Sequence, residues 1–318
     1  MRRVSEIIRN GDDFLVAAHV NPDGDAIGST CAVGHILARL GKRFRLYNPS
    51  GLPASYDFVP LPAPFETDLP ATMPALTIVL DCGAIERMGP ELLARTRETR
   101  IINIDHHLGN GDYGDENWVA VDQPAVGSMI ALLAKDLGLR LDGGLAECVY
   151  LAVSTDTGFF SYGSTTPESL ELAAEMLRDG LDLARMNMLI NKQWTEARLR
   201  LWTEVMGSVA LFAGKRVAIG VITREMFRRT GTDSQDTENL INTIRRLKSV
   251  RVAVILREEK PGTYKFSLRS YGEDNVQAIA ALFGGGGHRN ASGGTIAAPL
   301  EEVRRLLVDA ITKSLELA

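Results

Sequence analysis

Three short apolar runs in the first third of this chain each end in an acid or a histidine. Phe14-Leu15-Val16-Ala17-Ala18 runs into His19, Asp23 and Asp25; Thr77-Ile78-Val79-Leu80 into Asp81; and Ile101-Ile102-Asn103-Ile104 into Asp105-His106-His107. Runs of this length, without a polar face, read as strands buried on both sides. Pro22 and Gly24 break the chain after the first run, and from Ala26 to Leu40 apolar residues recur at helical spacing, closed by Gly41. Strand, polar loop and helix make the first half of a βαβ unit, so the sequence predicts an α/β fold with a mainly parallel sheet flanked by helices. In such a sheet the C-terminal strand ends share one edge, and ligands bind there. The acids and histidines are therefore expected to meet.

Further strands are predicted over 43–47, with loop and edge structure over the proline-rich stretch 48–74. Helices are expected over 4–10, 90–97, 125–137 and from Thr166-Pro167 to about Arg178. The run 145–155 is apolar throughout; its length favours helix, and it ends in Asp156-Thr157-Gly158. Residues 182–211 look helical and carry no acidic or histidine cluster, which suggests a helical linker between a first domain (1–181) and a second (212–318). The second reads as a smaller α/β domain. Strands are expected at 217–222, 250–256, 264–269 and 294–297, the middle two paired across Pro261-Gly262, with helices over 236–248, 275–282 and from Leu300. The length of 318 residues suits two domains.

The polar residues are costly to bury and add nothing to packing. Asp23, Asp25, Asp81 and Asp156 bring four negative charges, which two divalent cations would balance. Imidazole and carboxylate donors without thiolate suit Mn²⁺, with Mg²⁺ or a later ion such as Co²⁺ as substitutes. Two such ions clamp attacking and leaving oxygens and lower the pKa of water, the chemistry of phosphate ester hydrolysis. Four of the five histidines fall in these polar loops or in the Gly284–Asn290 run, and only His35 lies inside a helix. Cys31, Cys82 and Cys148 are too scattered for a disulfide framework or a thiolate zinc site, and read as buried free thiols.

Net charge is −5, which argues against long duplex DNA as the main partner but leaves room for a small anion in a local basic pocket. No apolar run reaches a membrane span, so no membrane partner is expected, and no signal core follows the N-terminus, so a cytoplasmic location is expected.

The motifs His19-Val20-Asn21-Pro22-Asp23-Gly24-Asp25, Asp81, Asp105-His106-His107, Asp156-Thr157-Gly158 and Gly284-Gly285-Gly286-Gly287-His288-Arg289-Asn290 occur in this order. In this the chain resembles the DHH phosphoesterase family with its C-terminal DHH-associated domain. The resemblance implies a dinuclear manganese site: His19, Asp23 and Asp81 on one ion, and Asp25, Asp81, His106 and Asp156 on the other. It further implies that Asp105 orients neighbouring histidines and that His107 faces the scissile phosphate or the leaving group. In the second domain, Gly286 and Gly287 would let backbone N–H groups approach a phosphate, with His288, Arg289 and Arg269 as cationic donors.

Length and two-domain organisation are similar to the nanoRNase subgroup. This implies hydrolysis of short RNA oligonucleotides and dinucleotides to mononucleotides, and removal of the 3′-phosphate of 3′-phosphoadenosine 5′-phosphate (pAp). The alternatives are a phosphodiesterase for cyclic-di-AMP or pApA and, in a different class, a non-catalytic metal-dependent nucleotide sensor. Phe159, Phe160 and Tyr162 are candidates for base stacking or, more simply, core packing. Arg245, Arg246, Lys248 and Arg251 form a basic cluster that reads as a solvated face.

Overall fold

A computed structural model describes residues 1–192 and 194–316. The chain divides into two compact units, Met1–Gln193 and Trp194–Ala318. The first runs α1 (Arg2–Asn10), β1 (Phe14–Ala18), α2 (Gly24–Arg39), β2 (Phe44–Tyr47), β3 (Phe65–Glu66), β4 (Leu76–Leu80), α3 (Pro90–Ala94), β5 (Arg100–Asp105), β6 (Glu116–Val119), α4 (Val126–Asp136), α5 (Gly143–Asp156), α6 (Pro167–Arg178) and α7 (Leu183–Asn191). Its sheet has the order β3-β2-β1-β4-β5-β6, and every pairing in it is parallel. The strand order reverses between β1 and β4, the position where open α/β sheets place their ligands.

The apolar runs of β1 and β4 are explained by cover on both faces. Phe14, Val16, Ile78 and Leu80 pack with α2, α4 and α5, while Leu15, Ala17 and Val79 pack with Met88 and Leu92 on the other side. The helices on the first face approach closely because two glycines sit at their contacts. A Cβ on Gly28 would lie 2.5 Å from the carbonyl oxygen of Cys148, and one on Gly127 would lie 2.3 Å from the Cβ of Ala152. Thus α2 and α4 both lie tightly on α5. That spacing fixes where Asp25, at the start of α2, stands relative to Asp156, the last residue of α5.

The second unit runs α8 (Glu196–Gly207), β7 (Ala210–Phe212), β8 (Val217–Ile222), α9 (Arg224–Thr230), α10 (Leu240–Arg245), β9 (Val252–Lys260), β10 (Thr263–Ser270), α11 (Val276–Ala281), β11 (Gly286–His288), β12 (Ala291–Ala297) and α12 (Leu300–Ser314). Its sheet has the order β11-β12-β10-β9-β8-β7, with β8–β9 parallel and the other pairs antiparallel. One face packs on α11 and α12 through Phe266, Leu268, Ile279 and Leu307; the other is covered over β8 and β9 by α8 and α10. Pro261-Gly262 turns β9 into β10, with Gly262 at φ +70°.

Some elements differ from the sequence reading. The segment 182–211 is shared between the units, with α7 in the first and α8 in the second, and its last two residues lie in β7. The helix expected over 236–248 is broken by Asn239 at φ +64°, leaving only α10 as α-helix. Strand β6 and helix α9 carry too weak a pattern to be read locally. The glycine run forms strand β11 because β12 pairs with it, not from its own propensity. Among the described residues no helix is long and apolar enough to cross a membrane.

Candidate metal centre

The loops after β1, β4 and β5 and the end of α5 converge on the C-terminal edge of the first sheet. Asp81 follows β4 directly, in the left-handed region at φ +52°, which a short polar side chain tolerates better than most. Its two oxygens face different histidines: Oδ2 lies 3.6 Å from His19 Nε2 and Oδ1 lies 3.6 Å from His106 Nε2. Asp23 Oδ1 stands 3.9 Å from His19 Nε2. On the other side, His106 Nε2 is 3.9 Å from Asp25 Oδ2 and 3.5 Å from Asp156 Oδ2.

Donor atoms within 4.8 Å of one another therefore form three overlapping groups: His19, Asp23 and Asp81; Asp25, His106 and Asp156; and Asp81, His106 and His107. Asp81 belongs to two of them, with His19 and Asp23 in one and with His106 and His107 in the other, and His106 also joins Asp25 and Asp156 in the third.

Both outer histidines are aimed by the backbone. His19 Nδ1 bonds the carbonyl of Val20 at 2.9 Å and His106 Nδ1 bonds that of Gln123 at 3.0 Å, which leaves each Nε2 turned to the carboxylates. Asp25 is held more firmly still. The first two amides of α4, Val126 and Gly127, donate to it at 2.7 and 2.9 Å, and Ser29 Oγ donates at 2.8 Å. Asp23 caps α2 by accepting from the amide of Ala26 at 3.1 Å.

Asp105 is fully buried. It accepts from His107 Nδ1 at 2.8 Å and from Asn110 Nδ2 at 2.6 Å. Asn110 Oδ1 in turn accepts from Asn103, which also donates to Asn117, so a ladder of amides fixes the loop behind His106 and His107.

This density of carboxylates shifts the titration of several of its members. Burial raises the Asp25 carboxyl well above its ordinary value, and the charges of Asp81 and Asp156 push the same way. Burial likewise lifts Asp156 to about 7, against the pull of His106. Burial would depress the imidazolium of His19, but the neighbouring carboxylates of Asp23 and Asp81 override it and hold it at about 10. His106 rises to about 9 because Asp25, Asp156 and Asp81 outweigh its burial. Burial opposes ionisation of Asp105, yet His107 and Asn110 keep its carboxyl below the ordinary range.

Buried acids whose oxygens lie within 4.8 Å of one another, with too little cationic charge beside them, are expensive. The donor set is imidazole Nε2 and carboxylate oxygen; Cys82 nearby is a buried thiol that burial pushes up to about 11, so no thiolate joins it, and the set fits hard-to-intermediate divalent cations. A further residue that the sequence does not single out is Arg87. It sits in the turn after β4, and its guanidinium is near enough to favour the ionised form of Asp23.

In the second unit, Arg269 on β10 opposes Ala291, and Ala291 opposes His288, so Arg269 and His288 share one sheet face. Gly286 and His288 are exposed, and nothing would lie within 4 Å of a Cβ at Gly286. Arg289 is engaged elsewhere: its guanidinium bonds the carbonyl of Glu273 at 2.9 Å and pairs with the Glu273 carboxylate. Asn290 Nδ2 pins the hairpin to Ser270, Gly272 and Asp274. Of the three aromatics after Asp156, Phe160 packs against the core beside Tyr150, while Phe159 and Tyr162 are exposed. In the basic cluster, Arg251 pairs with Asp274 and Arg245 lies 4.0 Å from the ring centroid of Tyr271.

Residues 13–153 match the DHH family, N-terminal domain, and residues 214–316 match the DHHA1 domain. The chain is 30% identical over 318 residues to the bifunctional oligoribonuclease and PAP phosphatase NrnA of Thermus thermophilus, covering 99% of this chain and 94% of that protein. It is 27% identical to the protein of the same name from Bacillus subtilis, over 94% of this chain and 93% of that one. Among solved structures, an exopolyphosphatase-related protein from Bacteroides fragilis superposes with a TM-score of 0.90 at 26% identity, covering 99% of this chain and 96% of that one. Converging carboxylates and histidines, the two matched domains and relatives aligned end to end lead to one assignment: the chain belongs to the DHH family of phosphoesterases.

Proposed function

We propose that the protein hydrolyses short oligoribonucleotides and dinucleotides to mononucleotides and removes the 3′-phosphate of pAp, using two Mn²⁺ ions held by the first unit. The observation that carries this reading is Asp81, whose two oxygens each face a separate histidine at 3.6 Å. His19, Asp23 and Asp81 would hold one ion, and Asp25, Asp81, His106 and Asp156 the other. Bound together, two such ions supply an activated water and charge neutralisation at a phosphoryl group.

The chain's own residues do the rest. Val20 and Gln123 carbonyls fix the tautomers of His19 and His106 so that Nε2 is the donor atom. The amides of α4 keep Asp25 in place. His107, tethered through Nδ1 to Asp105, presents Nε2 to the leaving oxygen and delivers a proton to it. Arg269, His288 and the amides around Gly286 and Gly287 hold an anionic group of the substrate. Arg289, paired with Glu273, supports the hairpin more than it contacts substrate. The names of the Thermus thermophilus and Bacillus subtilis relatives support this choice of substrates.

The test is a panel of dinucleotides, RNAs of three to five nucleotides, pAp, pApA and cyclic-di-AMP, assayed with chelated protein resupplied with Mn²⁺, Mg²⁺ or Co²⁺. Turnover of dinucleotides and pAp restored best by Mn²⁺ is the expected result. Preference for cyclic-di-AMP or pApA would reassign the substrate, and no hydrolysis under any metal would reject the enzymatic reading.

A further inference from the structure

Strand β10 is interior to the second sheet, between β12 and β9, yet it carries charge at its centre. Tyr264, Phe266 and Leu268 enter the core under α11 and α12, so Lys265, Ser267 and Arg269 lie on the opposite face. Cross-strand register arranges that face in rungs. Arg269 stands with His288, separated by Ala291. Ser267 stands with Gly293 and Gly286, which bring no side chains. Lys265 stands directly opposite Arg257 of β9 and Thr295 of β12.

Like charges placed directly opposite one another destabilise a sheet. A lysine on an edge strand discourages sheet-to-sheet pairing, but β10 has no free edge to protect. Arg257 is compensated by Glu259 at 2.7 Å. Lys265 is exposed, and among the described residues no ion pair or hydrogen bond to its ammonium occurs. A cavity of about 110 Å³ opens between these groups, walled by Arg257, Lys265 and Ser267 and floored by Ile222, Ile241 and Ile255.

We propose that Arg257, Lys265 and Ser267 form an additional phosphodiester subsite, which takes the backbone of single-stranded oligoribonucleotides beyond the nucleotide held at Arg269 and His288. The deduction rests on the reading of the protein as an oligoribonuclease. Adjacent rungs on one face are two residues apart, roughly 6.6 Å, which is close to the separation of successive phosphates in an extended single strand. Lys265 is two rungs from Arg269. A dinucleotide or pAp anchored at Arg269 ends before it, whereas a longer oligonucleotide reaches it. The site therefore sets length preference and leaves the hydrolytic step alone.

Two measurements on the full-length protein test this. In the first, kcat and KM are measured for pAp and for RNAs of two to five nucleotides with wild type, Lys265→Ala, Lys265→Arg and Ser267→Ala. Lys265→Ala is expected to raise KM for four- and five-nucleotide RNAs about tenfold, the value of one charge-assisted contact. Values for pAp and the dinucleotide stay as in wild type, and Lys265→Arg restores most of the loss. In the second, binding of a labelled five-nucleotide RNA is followed by anisotropy in chelator across a salt series. Loss of one phosphate contact lowers the slope of log affinity against log salt by about 0.7. Equal loss on every substrate, or no change on the longest, overturns the subsite. If wild type cleaves nothing, the proposed activity fails, and the binding series still decides the subsite by itself.

Discussion

Asp81 answers two demands at once. It must leave β4 in a left-handed conformation and offer one oxygen to each side of the cluster. Asparagine tolerates the same backbone and nearly the same volume but removes the charge. Asp81→Asn is therefore expected to fold, to lose bound Mn²⁺ by elemental analysis, and to lose activity on dinucleotides and pAp alike. Asp105 makes the instructive contrast. It is completely buried and engages His107 and Asn110. Asp105→Asn should keep the metal content near wild type and lower kcat by about ten- to hundredfold, the usual cost of removing an outer partner of a metal site. Equal metal loss in both variants would place Asp105 among the ligands instead. The histidines and acids are legible in the sequence because such residues seldom end apolar runs without a reason. Gln123, Asn103, Asn110 and Arg87 are not, because each acts through a tertiary contact to a distant segment and none has a local signature.

At the scale of elements, the site depends on how closely α2 and α4 lie on α5. Gly127 is the tightest point: a methyl group there would stand 2.3 Å from the Cβ of Ala152, in the interior of α5. Gly127 also donates its amide to Asp25 at 2.9 Å. Gly127→Ala forces the helices apart, and overpacking of this kind costs about 1–3 kcal/mol. A lowered melting temperature is expected, together with weakened Mn²⁺ binding, because Asp25 and Asp156 no longer keep their separation. Ser128→Ala, one residue on, removes bonds to Gln123 and Ala125 without adding bulk. A milder effect there would assign the damage to spacing. The parallel strands could be read from their short, unbroken apolar runs and the long helices from their length and apolar spacing, since β1 and β4 are buried on both faces and α2 is buried over most of its length. The break at Asn239 and the pairing of β11 could not, because the first is set by one dihedral angle and the second by a neighbouring strand.

For the whole molecule, a modest net charge of −5 conceals a concentrated acidic centre whose protons are held more tightly in the folded than in the unfolded chain. His19 rises from 6.5 to about 10 and His106 from 6.5 to about 9, each because neighbouring carboxylates overcome its burial. Asp156 rises from 3.8 to about 7, chiefly through burial. For a group whose folded pKa is raised, the stabilisation is complete below the unfolded pKa and disappears as pH climbs through the folded one. All three groups act in the same direction. Metal-free protein should therefore lose stability from about pH 4 to pH 10: Asp156 loses its contribution between 3.8 and about 7, and the histidines lose theirs from 6.5 to about 9 for His106 and about 10 for His19. Divalent cations replace those protons, so Mn²⁺ should bind more tightly as pH rises and should release protons on binding. Melting temperatures at pH 6.0, 7.5 and 8.5, in chelator and with saturating Mn²⁺, test the first part. Calorimetric titration of Mn²⁺ in two buffers of different ionisation enthalpy counts the protons released. A metal-free melting temperature that rises with pH, or metal binding without proton release, would mean that these side chains do not share one charged site.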